Sequence, residues 1–213
     1  MKTFIYTKRL LLVGFIGLII SACFYPGLPG PFVLDDQLNI IDNDHIKITE
    51  WTADQIHFAA TTPIDGYQYS RTLSYLSFAL NYYFSGFQIN SYDFKATNLF
   101  IHFINALLLL LISKNILNAL NPDGHEFFLI LATSITLIWA CHPLLVSSVL
   151  YAVQRMTLLA GTTTLIGCYS YLLYRTHAEK KPHHLPLLIL TITTLIIIGF
   201  HFKESAILLP AYI

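Results

Sequence analysis

Two adjacent carboxylates, Asp35 and Asp36, follow a proline-rich stretch (Pro26, Pro29, Pro31) that closes the first apolar run. In a loop such a pair serves as turn chemistry, and opposite a bound hydroxyl a carboxylate serves as a general base. Cations are spread along the rest of the chain: Arg71, Arg155 just ahead of an apolar run, and Lys203 at the end of another, with Glu204 beside it. His102 lies inside an apolar run with Asn98 and Asn105, at the i, i+4, i+7 spacing that places all three on one helical face. It stands about 10 Å deeper than Lys95 at the helical rise of 1.5 Å per residue. Ionisable groups at such depth are costly and face a bundle interior or a water cavity. His142 precedes Pro143 near the end of a further run. Cations beside an apolar groove suit the phosphate of a lipid-linked substrate, and a carboxylate opposite them suits deprotonation of an attacking hydroxyl. Together they describe glycosyl transfer from a polyprenyl-phosphate sugar, with the cations stabilising charge on the departing phosphate. Each residue alone also has a plain reading: a turn for Asp35-Asp36, a helix-end cap for His142, interfacial anchoring for Lys203-Glu204, snorkelling for Arg155. Their convergence on one side carries the weight.

The elements that must position these residues are apolar. Of 213 residues, 55% are hydrophobic and 11% charged, and mean hydropathy is +0.60. Soluble domains carry about 25% charged residues, so the chain reads as an integral membrane protein. Twelve basic residues offset twelve acidic ones, which excludes the basic field of a nucleic-acid binder. Cys23, Cys141 and Cys168 fall inside apolar runs without metal-ligand spacing.

Apolar runs at Leu10 to Phe24, Ala96 to Ser113, Phe127 to Val149, Thr157 to Tyr174 and Leu185 to Phe202 predict five spans, each near the ~20 residues that cross a bilayer. The start of a sixth is expected from Ala206. The fold class is therefore all-α, a polytopic helical bundle. Its divisions are an N-terminal transmembrane helix (1–25), an external loop holding the acidic pair and interfacial helices (26–91), and the remaining membrane helices (92–213). With the N-terminus cytoplasmic, Lys2, Lys8, Arg9, Lys114, Arg175, Lys180 and Lys181 fall inside, against Lys47, Arg71, Lys95, Arg155 and Lys203 outside, as the positive-inside rule prefers. Leu73 to Phe87, rich in aromatics, reads as a helix lying at the interface. Tyr67, Tyr69, Tyr75, Tyr82 and Tyr83 read as an interfacial belt.

The chain resembles the N-terminal membrane part of GT-C glycosyltransferases, specifically the transmembrane-and-tetratricopeptide O-mannosyltransferase-like group and its bacterial relatives. The resemblance runs in order through Phe32-Val33-Leu34-Asp35-Asp36, Tyr69-Ser70-Arg71-Thr72, Phe78-Ala79-Leu80-Asn81-Tyr82, Asn98-Leu99-Phe100-Ile101-His102, Trp139-Ala140-Cys141-His142-Pro143, Ala152-Val153-Gln154-Arg155-Met156 and Phe202-Lys203-Glu204-Ser205. It implies a catalytic role for Asp35 and Asp36, one of them the general base. It also implies a lipid-phosphate site at Arg71, His102, Arg155 and Lys203, supported by His142, Glu204 and Asn98. Transfer with inversion at the anomeric carbon is implied, at the outer face of a bacterial inner membrane. The partners are a polyprenyl-phosphate-linked sugar, a protein or glycan acceptor and the bilayer, with no nucleic acid. No metal ligand is assigned; a divalent cofactor stays open, because GT-C enzymes differ in using one. Thr72 stands where related proteins carry proline. Those proteins also continue through further helices and a tetratricopeptide region, so the chain is expected to be a fragment, a truncated frame or half of a split system. A lipid-linked glycan ligase or polymerase and a non-catalytic scaffold are the alternative readings.

Overall fold

The computed structural model describes residues 2–61, 71–120, 125–177 and 185–213. Asp65, Tyr67, Tyr69, Ser70 and the basic loop at 180–184 lie outside the described residues. The helices are α1 (Lys2–Phe24), α2 (Ala53–Ala60), α3 (Thr72–Phe84), α4 (Ser91–Leu120), α5 (His125–Ala140), α6 (Val146–Leu150), α7 (Arg155–His177) and α8 (Leu185–Phe200). Short 3₁₀ turns and one π-helical turn (Gln37–Ile41) join them, and there is no strand among the described residues.

Three segments are long and apolar enough to cross a membrane: Leu10–Gly27, Ser91–Leu120 and Ala152–Thr176. A fourth is made if Glu126–Ala140 and Pro143–Leu150, bent by 52° against each other, are counted together. Leu10, Leu18, Phe100, Ile130, Ile138 and Leu190 turn outward, as on helices that meet lipid. The chain thus has the character of a multi-pass helical membrane protein.

The spans differ in detail from the sequence expectation, for local reasons. The third run is broken because Pro143 supplies no N–H and pushes the preceding residue out of the helical region. His142 accordingly sits at φ −67°, ψ 133°, and its Nδ1 accepts from the Leu144 N–H (3.3 Å). The fifth run forms α8, 16 residues long and short for a span. The stretch expected to begin a sixth is instead a 3₁₀ helix, Glu204–Tyr212, with Pro210 inside it.

α4 is the central element, packed against α5 on one side and α7 on the other. Ala106 and Leu110 of α4 join Ile16, Ile20 and Phe24 of α1 in one buried cluster. The described residues of the 26–91 segment pack onto the end of the bundle, where a second cluster unites Ile40, Ile46 and Ile48 with Tyr75 and Phe78 of α3, Phe94 of α4 and Val153. Burying side chains of that size is worth about 1.5–3 kcal/mol each, which holds an otherwise irregular segment in place. α8 approaches α7 through Gly199, where a Cβ would lie 2.6 Å from Thr163 Oγ1. Small residues permit such close approach between membrane helices.

Candidate functional site

Asp35 and Asp36 have opposite environments. The turn that begins at Leu34 (φ 47°) sends the Asp36 side chain inward, where it is completely buried, and leaves Asp35 exposed. Asp36 accepts backbone N–H bonds from Val33 (3.1 Å), Ala152 (3.4 Å) and Val153 (2.7 Å). Burial pushes its carboxyl above the ordinary value, while these N–H donors and the Lys95 charge pull it back. The Asp35 N–H donates to the Tyr151 hydroxyl at 2.8 Å, and the Asp35 carboxylate lies near the same hydroxyl. Burial first, and the carboxylate's charge after it, push the Tyr151 phenol up. The pair thus divides into a solvent-facing carboxylate able to accept a proton and a buried one that ties its loop to residues 152–153.

The polar face of α4 acts between helices. Asn98 Nδ2 donates to the Tyr151 and Ala152 carbonyls (both 3.2 Å). Asn105 Nδ2 donates to the Leu158 carbonyl (3.0 Å) and its Oδ1 accepts from Thr162 (2.7 Å). His102 is fully buried, its Nε2 2.9 Å from the Ala140 carbonyl. A carbonyl only accepts, so Nε2 carries the proton and Nδ1 is left as an acceptor, with no partner among the described residues. The ring packs against Phe24 and Trp139, at 5.4 and 5.2 Å between centroids.

Arg155, expected among the phosphate-binding cations, is completely buried. Nε donates to Asn98 Oδ1 (2.9 Å), Nη1 to the Ser77 carbonyl (3.0 Å), and Nη2 to Asn81 Oδ1 and the Phe94 carbonyl (2.9 Å). Its guanidinium carbon lies 4.9 Å from the Phe78 ring centre and 5.1 Å from that of Phe94. In this arrangement its fork faces protein oxygens and aromatic rings rather than an open site, because α3 and α4 close over it. Snorkelling is excluded by the same burial. Asn98, expected as a supporting residue, is one of its partners, and His142 is the exposed cap at the α5 break.

Arg71, Lys203 and Glu204 are brought together. Arg71, at φ 56°, forms a two-pronged ion pair with Glu204 (Nε–Oε1 3.0 Å, Nη2–Oε2 3.1 Å). This pairing holds the Glu204 carboxyl below its ordinary value. Backbone bonds support it: Leu73 N–H to the His201 carbonyl (3.1 Å), and Ser74 Oγ to that of Phe202 (2.9 Å). Lys203 Nζ donates to Thr157 Oγ1 (2.8 Å), which donates to Gln154 Oε1 (2.6 Å). Burial and the Arg71 charge lower the Lys203 ammonium's affinity for its proton, and the Glu204 charge partly offsets them. Thr157 and Ser205 also line a cavity of about 460 Å³ between α4, α5, α7 and the Glu204–Tyr212 turn, with His102, Trp139 and Gly161 on its otherwise mostly apolar wall. Lys203 thus adjoins the cavity through Thr157, while Arg71 is committed to Glu204. Residues 151–157 link Lys203 to Asp35, with Tyr151 at the carboxylate and Thr157 at the lysine.

No family model and no solved structure matches the chain. The chain is similar to protein O-mannosyl-transferase TMTC4 of Mus musculus, 28% identical over 172 residues. The match takes in 76% of this chain and 22% of that protein, so the chain spans under a quarter of the relative's length. The relationship to that group is distant. Among the described residues no group of three or more His, Cys, Asp and Glu side chains is placed to hold a metal ion.

Two residues of the site escape sequence reasoning. Tyr151 is an ordinary interfacial tyrosine by type, and its partner is 116 residues away. Lys95 reads as a flanking charge, yet it is buried, with Nζ on the Gly30 (2.7 Å) and Pro31 (2.9 Å) carbonyls and its charge near Asp36. Its place in the first turn of α4, where a snorkelling lysine has a short path to the interface, was its sole signal.

Proposed function

We propose that the chain belongs to a glycosyltransferase that moves a sugar from a polyprenyl-phosphate donor to a hydroxyl of a protein or glycan acceptor, at the outer face of a bacterial inner membrane. The observation that supports this reading is the bond from Lys203 to Thr157, a lining residue of an apolar cavity, with residues 151–157 leading from there to the exposed Asp35. The distant similarity to an O-mannosyl-transferase agrees with it.

In this mechanism Asp35 takes the proton of the acceptor hydroxyl as its oxygen attacks the anomeric carbon. The carbon–oxygen bond to the donor phosphate breaks on the opposite face, so the sugar is inverted by a single displacement. Lys203, with Arg71 beside it, stabilises the charge gathering on the departing phosphate. Asp36 and Lys95 are positioning residues that hold the acidic loop, Arg155 ties α3 to α4, and His102 lies at the wall of the cavity.

Intact-mass analysis of exported proteins tests the reading, in cells deleted for the whole locus and restored with wild type or Asp35→Asn. A sugar mass that disappears on deletion and returns with wild type alone supports it. Unchanged glycans on both proteins and exported polysaccharides in every strain would overturn it.

A further inference from the structure

Leu34 and Leu38 flank the exposed Asp35 and are themselves 81% and 76% exposed. Leu34 stands at φ 47°, a left-handed backbone that disfavours a residue with a Cβ. Asp36 and Ile40 anchor the turn from within. Asp36 is held by the N–H groups of Val33 and Val153, and Ile40 is completely buried in the cluster with Tyr75 and Phe78. The π-helical turn Gln37–Ile41 leaves Leu38 on the outside. A single exposed leucine is ordinary on any protein surface, but these two lie between segments of membrane character. On one side is the end of Leu10–Gly27, where Tyr25 is exposed. On the other is Pro143–Leu150, the second limb of the bent pair, with Leu144 and Val146 exposed. The two segments meet, since a Cβ on Gly27 would strike Leu150 Cδ1. The acidic loop is tied to the same place by the Asp35 N–H on the hydroxyl of Tyr151, which follows Leu150.

We infer that Leu34 and Leu38 are immersed in the apolar boundary of the bilayer, so that the loop bearing Asp35 is docked on the lipid surface. Apolar side chains on a surface element gain there the burial that water denies them. Charge decides how the loop is held. Its exposed ionisable groups are Asp35 and Asp42, and Lys95 is buried behind them. Attraction of cations to anionic headgroups therefore plays no part, and insertion of the leucines does the holding. Further along, the exposed Asp44, Glu50 and Asp54 belong to the part of the chain that stands in water. With Asp35 as the base, the acceptor hydroxyl is taken at the lipid boundary. That consequence rests on the proposed transfer; the immersion rests on the exposed leucines and the membrane segments on either side.

The test uses the full chain carrying Cys23→Ala, Cys141→Ala and Cys168→Ala, reconstituted in dioleoylphosphatidylcholine vesicles. A nitroxide spin label is attached at Leu34→Cys or Leu38→Cys. Leu18→Cys, exposed on the first span, sets the lipid end of the scale, and Asp54→Cys, in the first turn of α2, sets the water end. Relaxation of each label by oxygen, which concentrates in lipid, is compared with relaxation by a water-soluble nickel chelate. The oxygen-to-nickel ratio at positions 34 and 38 is expected to be several-fold above that at 54 and to approach that at 18. Ratios equal to that at 54 would overturn the inference. Labels that neither reagent reaches would also overturn it, since protein and not lipid would then cover the turn. So would a fall to the water value in high salt, because charge would then hold the loop. The ratio reports depth and not activity, so a failure of the glycan experiment leaves this result standing.

Discussion

The Asp36 carboxylate accepts a 2.7 Å hydrogen bond from the backbone N–H of Val153, two residues before the buried Arg155. This contact pins the acidic loop to the start of α7 and separates Asp36 in role from Asp35. Asp36→Asn places an amide N–H₂ against backbone donors and leaves a buried N–H without its acceptor, a penalty of about 1–3 kcal/mol. Its thermal midpoint in detergent is expected to fall. Asp35→Asn, at an exposed position, is expected to stay within about 0.5 kcal/mol of wild type while abolishing transfer. If Asp35→Asn turned over normally, the general-base assignment would be lost.

Arg155→Ala leaves Asn98 and Asn81 side-chain oxygens and two carbonyls without their donor inside the bundle. A clear loss of stability is expected, since each buried acceptor left unpaired costs about 1–3 kcal/mol. Arg155→Lys should recover little, because a compact ammonium cannot reproduce the planar fork. Lys203→Ala, by contrast, is expected to weaken donor binding with little change in stability. Unfolding midpoints for all three variants, read with donor affinity for the Lys203 change, separate a positioning arginine from a phosphate-binding lysine.

How much of this was legible in the sequence depends on the range of the interaction. The shared face of Asn98, His102 and Asn105 follows from helical periodicity alone, and α4 presents it as expected. The acidic pair was legible by its position after the first span, but its division into one exposed and one buried carboxylate was not, since that follows from Val153, 117 residues away. Arg155 was visible as a cation before a span. Its burial is decided by oxygens from α3 and α4, whose approach no local pattern encodes. Hydropathy summed across Phe127 to Val149 likewise misses a bend, because Pro143 changes direction without changing polarity.

Tyr151→Phe removes the hydroxyl that meets the Asp35 backbone and carboxylate while keeping the ring. Under the proposed mechanism the loss is expected to lower turnover roughly tenfold, equivalent to about 1.4 kcal/mol. Turnover identical to wild type would mean that the Tyr151 hydroxyl serves the loop backbone alone.

The carboxylates of Glu204 and Asp36 are expected to shape the pH dependence of stability in opposite directions. Glu204 is held below its ordinary 4.5 by Arg71, so its contribution is present above that pH and is lost as pH falls through the lower folded value. Both partners are partly exposed, which limits the pair to about 1 kcal/mol or less. Asp36 is shifted up from 3.8, so its contribution is largest below that pH and declines as pH rises through the folded value. Unfolding measured against pH should therefore lose part of its acid limb in Glu204→Gln. In Asp36→Asn the decline above pH 3.8 should flatten.

Gly199 offers the sharpest packing test, because its neighbours also carry the cations. An added Cβ would lie 2.5 Å from the Ala206 Cβ and 2.6 Å from Thr163 Oγ1. Neither neighbour is the far end of a flexible side chain, so α8, α7 and the turn through Lys203 must move apart. Gly199→Ala is expected to cost about 1–3 kcal/mol, as overpacking does. It should also weaken donor binding by displacing Lys203 from Thr157. Gly14→Ala is the control: nothing lies within 4 Å of its added Cβ, and replacing a mid-helix glycine is expected to stabilise by about 0.5–1 kcal/mol. Unfolding midpoints in one detergent decide it: opposite shifts support the close approach of α8 to α7, and a neutral Gly199→Ala would show that the two helices have room to spare.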